Sequence, residues 1–308
     1  MSGHDQLTKD LVRTFFQDFL GLAAPDAAGR LHLEQVSFLD TQSVTDWPAG
    51  RRRELDLLAR IPERTGGDSP VLVHVEIERR ARAGMDLRMW LYYMQLRLRH
   101  GLLVVPILLN LKGGAPGVSR MLLAEGLDDP ETARFRCRSF SLSGCLAAEY
   151  LERPEPLAWA LAALMRRGRW SPAEHKMACF RRIAAADLPE LQRFLLVNCV
   201  ETYVQLSGRD AVDYARLAER AENGRAVAMQ LTWAEKMEAK YRKQGLVEGR
   251  SEALEQLRAV VLHLLEQRFG PLPARTKRRV ERLRSLRSLR QIAEQILVAD
   301  SLRDLGLS

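Results

Sequence analysis

The chain has 308 residues, of which 46% are hydrophobic and 28% are charged, as in a folded globular protein rather than a disordered one. Lys and Arg number 47 against 39 Asp and Glu, giving a formal net charge of +8 at pH 7. Four cysteines are too few for a disulfide scaffold and indicate reduced, buried thiols in a cytoplasmic protein. The polar N-terminus argues against a signal peptide, and no apolar run is long enough to span a membrane.

Helical and strand patterns alternate in the first half of the chain. Apolar residues recur at helical spacing over 7–20 and again over about 84–100. Strand patterns occupy about 34–39, 53–61, 71–78, 102–111 and 134–142. This order of helix, three strands, helix and two strands predicts a mixed α/β domain over residues 1–150.

Two features refine this sheet. A Gly-rich turn at 66–70 predicts that the second and third strands form an antiparallel hairpin. Pro106 cannot donate a backbone hydrogen bond, so we expect the run 102–111 to lie at an edge or a bulge despite its buried character.

Strand patterns end after Tyr150, which predicts an all-α C-terminal half. Residues 151–250 are predicted to form a helical extension and a charged linker, with capping boxes at Ser171/Glu174 and Asp187/Glu190. Residues 251–308 are predicted to form a helical domain whose apolar stripe could also drive homo-oligomer formation. The segment 275–290 holds 8 basic residues and 1 acid, which fits a polyanion partner but more often marks a solvated helix face.

Acidic residues on the predicted hairpin carry the strongest chemical signal. Alternation along the strands puts Asp56 and Glu76 on the same face of neighbouring strands, with His74 and Glu78 on that face too. Carboxylates among Val, Leu and Ile are costly unless a cation or strong donors compensate, and Mg²⁺ prefers such oxygen ligands. A solvated strand face gives the same alternation, and pattern alone favours it. His74 by itself is better explained as a hydrogen-bonded strand residue than as a ligand.

A resemblance to a known family shifts the balance towards a site. The hairpin residues 53–57 and 73–78, the opening His4-Asp5 with Lys9, and residues 87–93 resemble the recombination-promoting nuclease and transposase (YhgA-like) family of bacteria. That family belongs to the PD-(D/E)XK nuclease superfamily, so the resemblance implies a restriction-endonuclease-like mixed sheet core flanked by helices. The stretches 245–250 and 268–273 are similar to the tail and to an uncharacterised C-terminal helical domain that follow this nuclease domain.

The resemblance implies a metal-dependent DNA endonuclease that hydrolyses phosphodiester bonds with low sequence specificity. Asp56 and Glu76 would bind Mg²⁺, or Mn²⁺ in its place, and the carbonyl of Ile77 would be a further ligand. Position 78 usually holds Lys in the superfamily and often Gln in the family, but here it is Glu78. A glutamate cannot stabilise a phosphorane-like charge, but it could bind a second metal or accept a proton as a catalytic base.

Further residues are candidates for binding DNA or supporting the site. Arg53 on one strand and Arg79 and Arg80 on the next would gather at one end of an antiparallel hairpin and clamp a phosphate backbone. Arg88 would reach a phosphate or the acidic cluster, or would simply be solvated. Asp5 and Lys9 on the first helix are second-tier candidates, whose alternative roles are a helix cap and a surface charge.

Two other functions remain open at this stage. Because position 78 departs from the motif, the chain could be a catalytically impaired nuclease fold that acts as a nucleic-acid-binding or protein-interaction module. Alternatively, the C-terminal helices could make it a self-associating interaction protein, although an intrachain core is the usual explanation of such a stripe.

Overall fold

The computed structural model describes residues 3–39, 43–46, 50–64, 69–126 and 132–220, and in the C-terminal part residues 258, 261, 262, 265, 268, 269, 272–281 and 292. The chain forms two compact units, Met1–Ala234 and Glu235–Ser308. Most of the predicted C-terminal helices and the charged stretch 221–250 lie outside the described residues, but Val261 and Leu265 of the predicted stripe over 251–269 are helical and buried. In the second unit the structure describes one helix, α10 (Ala274–Glu281).

Nine α-helices are described in the first unit. They are α1 (Gly3–Thr14), α2 (Phe16–Ala23), α3 (Pro25–Ala28), α4 (Met85–His100), α5 (Ala147–Leu151), α6 (Pro156–Leu161), α7 (Pro172–Ala185), α8 (Glu190–Tyr203) and α9 (Arg209–Arg220). The strands are β1 (Ser37–Phe38), β2 (Ser43–Asp46), β3 (Arg51–Glu54), β4 (Leu57–Ile61), β5 (Val71–Glu78), β6 (Val104–Asn110), β7 (Gly117–Glu125) and β8 (Ala133–Ser141).

Six of these strands form one mixed sheet in the order β1-β4-β5-β6-β8-β7. The central strands β5, β6 and β8 are parallel, whereas β4 runs antiparallel to β5 and β7 antiparallel to β8. Strands β2 and β3 form a separate antiparallel pair. The prediction of a mixed α/β fold and that of a hairpin between the second and third long strands are therefore confirmed.

Helices cover the sheet and bury its apolar side chains. Helix α4 packs Met85 and Met89 against Leu108, Phe135 and Cys137. Further along α4, Tyr92 and Leu96 pack against Leu58 and Leu72. Helices α1 and α2 contact β5 and β8, and α6 and α8 in turn pack against α1 and α2. Strands β5 and β6 are thus apolar along most of their length because both of their faces are covered.

The predicted single strand over 53–61 is wrong. Its first part, β3, pairs with β2 in the small sheet, whereas β4 begins only at Leu57 in the main sheet. Leu55 is buried between the two strands, and Asp56 forms a bend. Because the chain changes sheet here, Glu54 is exposed on a different sheet and does not share a face with Asp56 and Leu58.

The predicted helix over 7–20 is also divided. Phe15 has φ −109° and ψ 41°, outside the helical region, and separates α1 from α2. Leu11, Phe15, Phe16 and Phe19 are all buried, as the apolar spacing predicted. The break lets both short helices turn buried faces towards the core, which the spacing alone could not distinguish from one continuous helix.

Pro106 lies in a central strand, so the expectation of an edge or a bulge is wrong. Strand β6 runs between β5 and β8, and its pairing with β8 begins at Ile107, just after the proline. Pro106 therefore sits on the part of β6 that pairs with β5 alone.

The edge strand β7 was not predicted, because the residues before 134 show no clear strand pattern.

Two further expectations concern caps and thiols. The capping box of α7 is confirmed, since Ser171 Oγ accepts from Glu174 N at 3.2 Å and Glu174 Oε2 accepts from Ser171 N at 2.8 Å. The second predicted capping box, Asp187/Glu190, is wrong, because α8 begins after Pro189 with no side-chain cap.

All four cysteines are buried, as expected, and burial raises the pKa of Cys137 to about 12. Among the described residues no helix combines the length and apolarity needed to cross a bilayer.

Candidate active site

Asp56 occupies the bend where the chain passes from β3 to β4. Its Oδ2 accepts a hydrogen bond from the backbone N–H of Ile77 at 2.8 Å, and its Oδ1 lies 2.6 Å from Lys9 Nζ on α1. The first contact satisfies the backbone N–H of Ile77, two residues beyond Val75 on β5. Val75 is the cross-strand partner of Leu57, the first residue of β4. Asp56 therefore links the first helix to the end of the hairpin.

Glu76 projects from β5 and is only 8% exposed. Its Oε2 is buried without a hydrogen-bond partner in the described structure. His74 Nε2 lies 3.4 Å from that oxygen but makes no hydrogen bond with it, and the His74 ring is fully buried with its edge towards Tyr92. A buried carboxylate oxygen without a donor is costly, so the position of Glu76 favours a cation or water as its partner.

The charges of Asp56 and Glu76 influence each other. Burial raises the pKa of Asp56 above its usual value, and the negative charge of Glu76 raises it further. The Lys9 ammonium and the Ile77 N–H lower the pKa of Asp56 and offset part of that rise. The two carboxylates thus lie close enough for repulsion, which a bound cation would relieve.

Solvent reaches Asp56 through a small cleft of about 150 Å³ between α1 and the β3–β4 segment. Lys9, Asp10 and Arg13 line one side, and Glu54 and Asp56 lie on the other. The cleft therefore presents both basic and acidic groups around one of the two candidate ligands.

Glu78 has a separate environment from the Asp56–Glu76 pair. Its Oε1 accepts hydrogen bonds from Arg82 at 2.5 Å and from Arg88 on α4 at 3.0 Å. The Glu78 and Arg88 side chains are each only 14% exposed, so this ion pair is largely shielded from solvent. Arg88 thus contacts the acidic side chain at the end of β5, one of the two roles expected for it.

The other predicted basic residues are not gathered around the carboxylates by any described contact. Arg53 is exposed on β3 in the small sheet, and Arg79 and Arg80 are exposed after β5. Arg79 lines a different cleft of about 360 Å³, together with Lys112 and Tyr203. The side chain of Asp5 lies outside the described residues.

Sequence reasoning missed a buried polar group beside the site. Asn110 Nδ2 donates to Ser139 Oγ at 3.0 Å and to Ser141 Oγ at 3.1 Å, at the ends of β6 and β8. Glu78 is paired in register with Asn110, and Asn110 with Ser141. The sequence signal for this group is a single Asn at the end of the apolar run 104–110. A buried amide needs hydrogen-bond partners, so this Asn predicts a polar contact at the end of the strand.

The residues of this site fit Mg²⁺ better than a metal that needs a full protein cage. Within the described parts of the chain there is no group of three or more His, Cys, Asp or Glu side chains placed to hold a metal ion. Mg²⁺ commonly takes only one or two carboxylates and keeps several waters. Asp56 and Glu76 are two such carboxylates; both oxygens of Asp56 already have partners, whereas Glu76 Oε2 accepts no hydrogen bond within the described structure and lies 3.4 Å from His74 Nε2.

Comparison of the chain with family profiles, with curated proteins and with solved structures finds no match. The resemblance to the recombination-promoting nucleases therefore stays a prediction that rests on the short motifs of the sequence.

Proposed function

We propose that this chain is a Mg²⁺-dependent DNA endonuclease with a restriction-endonuclease-like core, related to the recombination-promoting nucleases. The observation that carries the proposal is the pair Asp56 and Glu76, two shielded carboxylates at neighbouring β-segments, of which Glu76 Oε2 is buried without a hydrogen bond in the described structure. Burial of such carboxylates costs stability, so a functional role for the pair explains its presence better than a structural one.

Asp56 and Glu76 would hold the Mg²⁺ ion, with the Ile77 carbonyl as a further ligand. When bound, the ion would supply charge neutralisation at the scissile phosphate and activation of the attacking water. Ile77 N–H keeps the Asp56 carboxylate in a fixed orientation, since it holds Oδ2 at 2.8 Å. A ligand held in place in this way needs no reorganisation when the cation binds.

Lys9 would supply the positive charge that the motif lacks at position 78. Its ammonium lies 2.6 Å from Asp56 Oδ1 and borders the cleft that leads to this carboxylate. A phosphate oxygen entering the cleft would meet the Lys9 ammonium beside Asp56, one of the two proposed metal-binding carboxylates. Lys9 would therefore have two roles, since it would position Asp56 and stabilise negative charge on the phosphate.

Glu78 would act by holding Arg88 and Arg82 rather than as a metal ligand or a base. Its Oε1 already accepts from both guanidinium groups. Arg82, which is 47% exposed, can keep a second donor towards a phosphate, because the guanidinium group has five N–H donors. The departure from the family pattern at position 78 is then compatible with activity.

Plasmid nicking by the purified full chain tests the proposal. We expect relaxation of supercoiled DNA with Mg²⁺, none with EDTA, and a loss of at least about 10²-fold in Asp56→Asn and Glu76→Gln, the scale for an essential electrostatic group. Glu34→Gln is the matched control, because Glu34 is an exposed carboxylate on the turn Leu33–Gln35. Nicking that persists in both site variants would contradict the proposal.

A second candidate function is a nuclease fold that binds nucleic acid without cutting it. It is favoured by the residue at position 78, where the superfamily usually has Lys and this chain has a glutamate that is ion-paired with Arg82 and Arg88. In that case DNA affinity falls steeply with salt in the presence and in the absence of Mg²⁺, and no preparation of the wild type nicks plasmid.

A further inference from the structure

Strands β7 and β8 display a row of arginines on one face of the sheet. Side chains alternate between faces along a strand, and α4 packs against the face that carries Met121, Leu123, Phe135 and Cys137. The opposite face therefore carries Arg120 and Leu122 from β7 and Arg134, Arg136 and Arg138 from β8. We call these five residues the basic face.

The register brings like charges together on the basic face. Arg120 of β7 is the direct cross-strand partner of Arg138 of β8. Like charges directly opposite each other in an antiparallel pair are destabilising. Across the part of the chain that the structure describes, no acidic side chain lies within ion-pair distance of Arg120, Arg136 or Arg138. Within the described residues, these three arginines therefore lack an internal counter-charge that would compensate them.

Protection of a sheet edge does not explain this arrangement. Charged residues on an edge strand deter pairing with other chains, and β7 is such an edge. Arg138, however, lies where β8 is paired on both sides, with Ile107 of β6 and with Arg120 of β7, whereas Arg136 lies on the part of β8 that pairs with β7 alone. The Arg120–Arg138 pair therefore needs a different reason, and an external anion is the simplest source of the missing charge.

The arginines of the basic face recur at short, regular intervals along the two strands. Residues two apart on a strand, such as Arg136 and Arg138, are separated by about 6.6 Å, and neighbouring strands by about 4.8 Å. Guanidinium groups bind phosphates through two parallel hydrogen bonds and are only weakly hydrated. A two-stranded antiparallel ribbon is also a form in which proteins enter the grooves of duplex DNA.

We propose that the basic face is a binding site for the sugar–phosphate backbone of duplex DNA. The choice of DNA among polyanions rests on the proposed function, whereas the site itself does not require that the chain cuts. Arg120, Arg136 and Arg138 contact successive phosphates, and Leu122, which is 46% exposed, lies among them on the side of β7. Such contacts fix the position of the duplex and read no sequence.

Fluorescence anisotropy with a labelled DNA duplex tests the site in the full chain. Measurements in EDTA over a range of salt concentrations exclude cleavage and report how many phosphates the protein neutralises. We expect Arg120→Gln/Arg136→Gln/Arg138→Gln to bind more weakly and to lower the slope of log affinity against log salt by about 0.9 for each phosphate that is no longer neutralised. The single variant Arg136→Gln should lower the slope by about 0.9 and provides the test if the triple variant does not fold.

The matched control removes the same charge elsewhere. Arg30, Arg209 and Arg216 are exposed and each has an acidic partner, so their replacement by Gln should change the slope little. The proposal is overturned if wild type shows no salt-dependent DNA binding, if basic-face variants bind like wild type, or if the face binds phosphatidylserine vesicles but not DNA. Salt-steep binding without nicking would overturn the endonuclease and leave this site standing. Nicking with an unchanged slope would overturn this site alone.

Discussion

Lys9 and Asp56 form an ion pair with 2.6 Å between Nζ and Oδ1, and this pair joins the first helix to the start of β4. Both side chains are mostly shielded, at 19% and 15% exposure. A shielded pair is weakly screened by salt, so the Lys9 charge acts strongly on Asp56. The contact also places a cation, which the hairpin by itself does not supply, beside Asp56, one of the two candidate metal ligands.

Replacement of Lys9 by Gln should therefore reduce nicking without removing the metal site. We expect a loss of about 10²–10³-fold in the rate, the scale for removal of one preorganised donor. Lys9→Arg should retain more activity than Lys9→Gln, because the charge remains. Rates measured over a range of pH check the role, since loss of the ammonium should also shift the pH profile through Asp56.

The result is informative only if Lys9→Gln still binds Mg²⁺. The same variant should keep the thermal shift that the metal produces, because Asp56 and Glu76 remain. Wild-type nicking in Lys9→Gln would refute a role for this residue in the reaction. Loss of the thermal shift would instead assign Lys9 to the integrity of the metal site.

Addition of Mg²⁺ should stabilise the folded chain through Asp56 and Glu76. At ten times the dissociation constant, a ligand that binds only the native state adds about 1.4 kcal/mol, or a rise in Tm of about 3–6 °C for a domain of this size. Differential scanning fluorimetry should show this rise in wild type and in Glu34→Gln. An equal rise in Asp56→Asn and Glu76→Gln would place the cation elsewhere.

Much of the fold could be predicted because its signals are local. The hairpin between β4 and β5 follows from two apolar runs and a Gly-rich turn, and the burial of β6 from its continuous apolar sequence. The break at Leu55 and Asp56 was missed because alternation continues through it, although the two halves pair with different strands. Pairing partners are a tertiary property that a period of two does not encode.

The candidate site, like the fold, could be predicted from the sequence only in part. The pairing of Leu57 with Val75 places the bend at Asp56 next to the end of β5 that carries Glu76, and this antiparallel pairing follows from the two apolar runs. The contact of Lys9 with Asp56 depends on how α1 docks on the sheet, and that of Glu78 with Arg88 depends on α4. Such contacts between elements leave no periodic mark in the sequence, so the hairpin could be predicted and its partners could not.

Neutralising Asp56 should stabilise the metal-free chain at neutral pH. The pKa of Asp56 is raised in the folded state, first by burial and then by Glu76. The native state therefore binds the extra proton between the ordinary and the raised pKa, so stability falls as pH rises through that window and stays lower above it. We expect Asp56→Asn, which can still accept from Ile77 N–H, to raise Tm by about one to a few degrees at pH 7 in EDTA. A lower Tm would mean that the pair with Lys9 outweighs burial.

A second titration should destabilise the helical part of the first unit in mild acid. His175 on α7 is buried, and its Nε2 donates to the carbonyl of Ala162 at 3.0 Å. Burial lowers the pKa of His175 below 6.5, and Arg167 lowers it further, although the hydrogen bond opposes this shift. Below pH 6.5 the unfolded chain therefore binds more protons than the folded chain. The stability that neutral His175 contributes is complete above pH 6.5 and is lost as pH falls towards the lower pKa of the folded state. His175→Gln keeps an amide donor for Ala162 but does not titrate. Thermal melts should be recorded between about pH 7.5 and about pH 5, a range that spans the ordinary imidazole pKa. We expect Tm to fall more steeply with pH in wild type than in His175→Gln. Parallel curves would mean that the pKa of His175 is the same in the folded and the unfolded state, so that His175 contributes nothing to acid sensitivity.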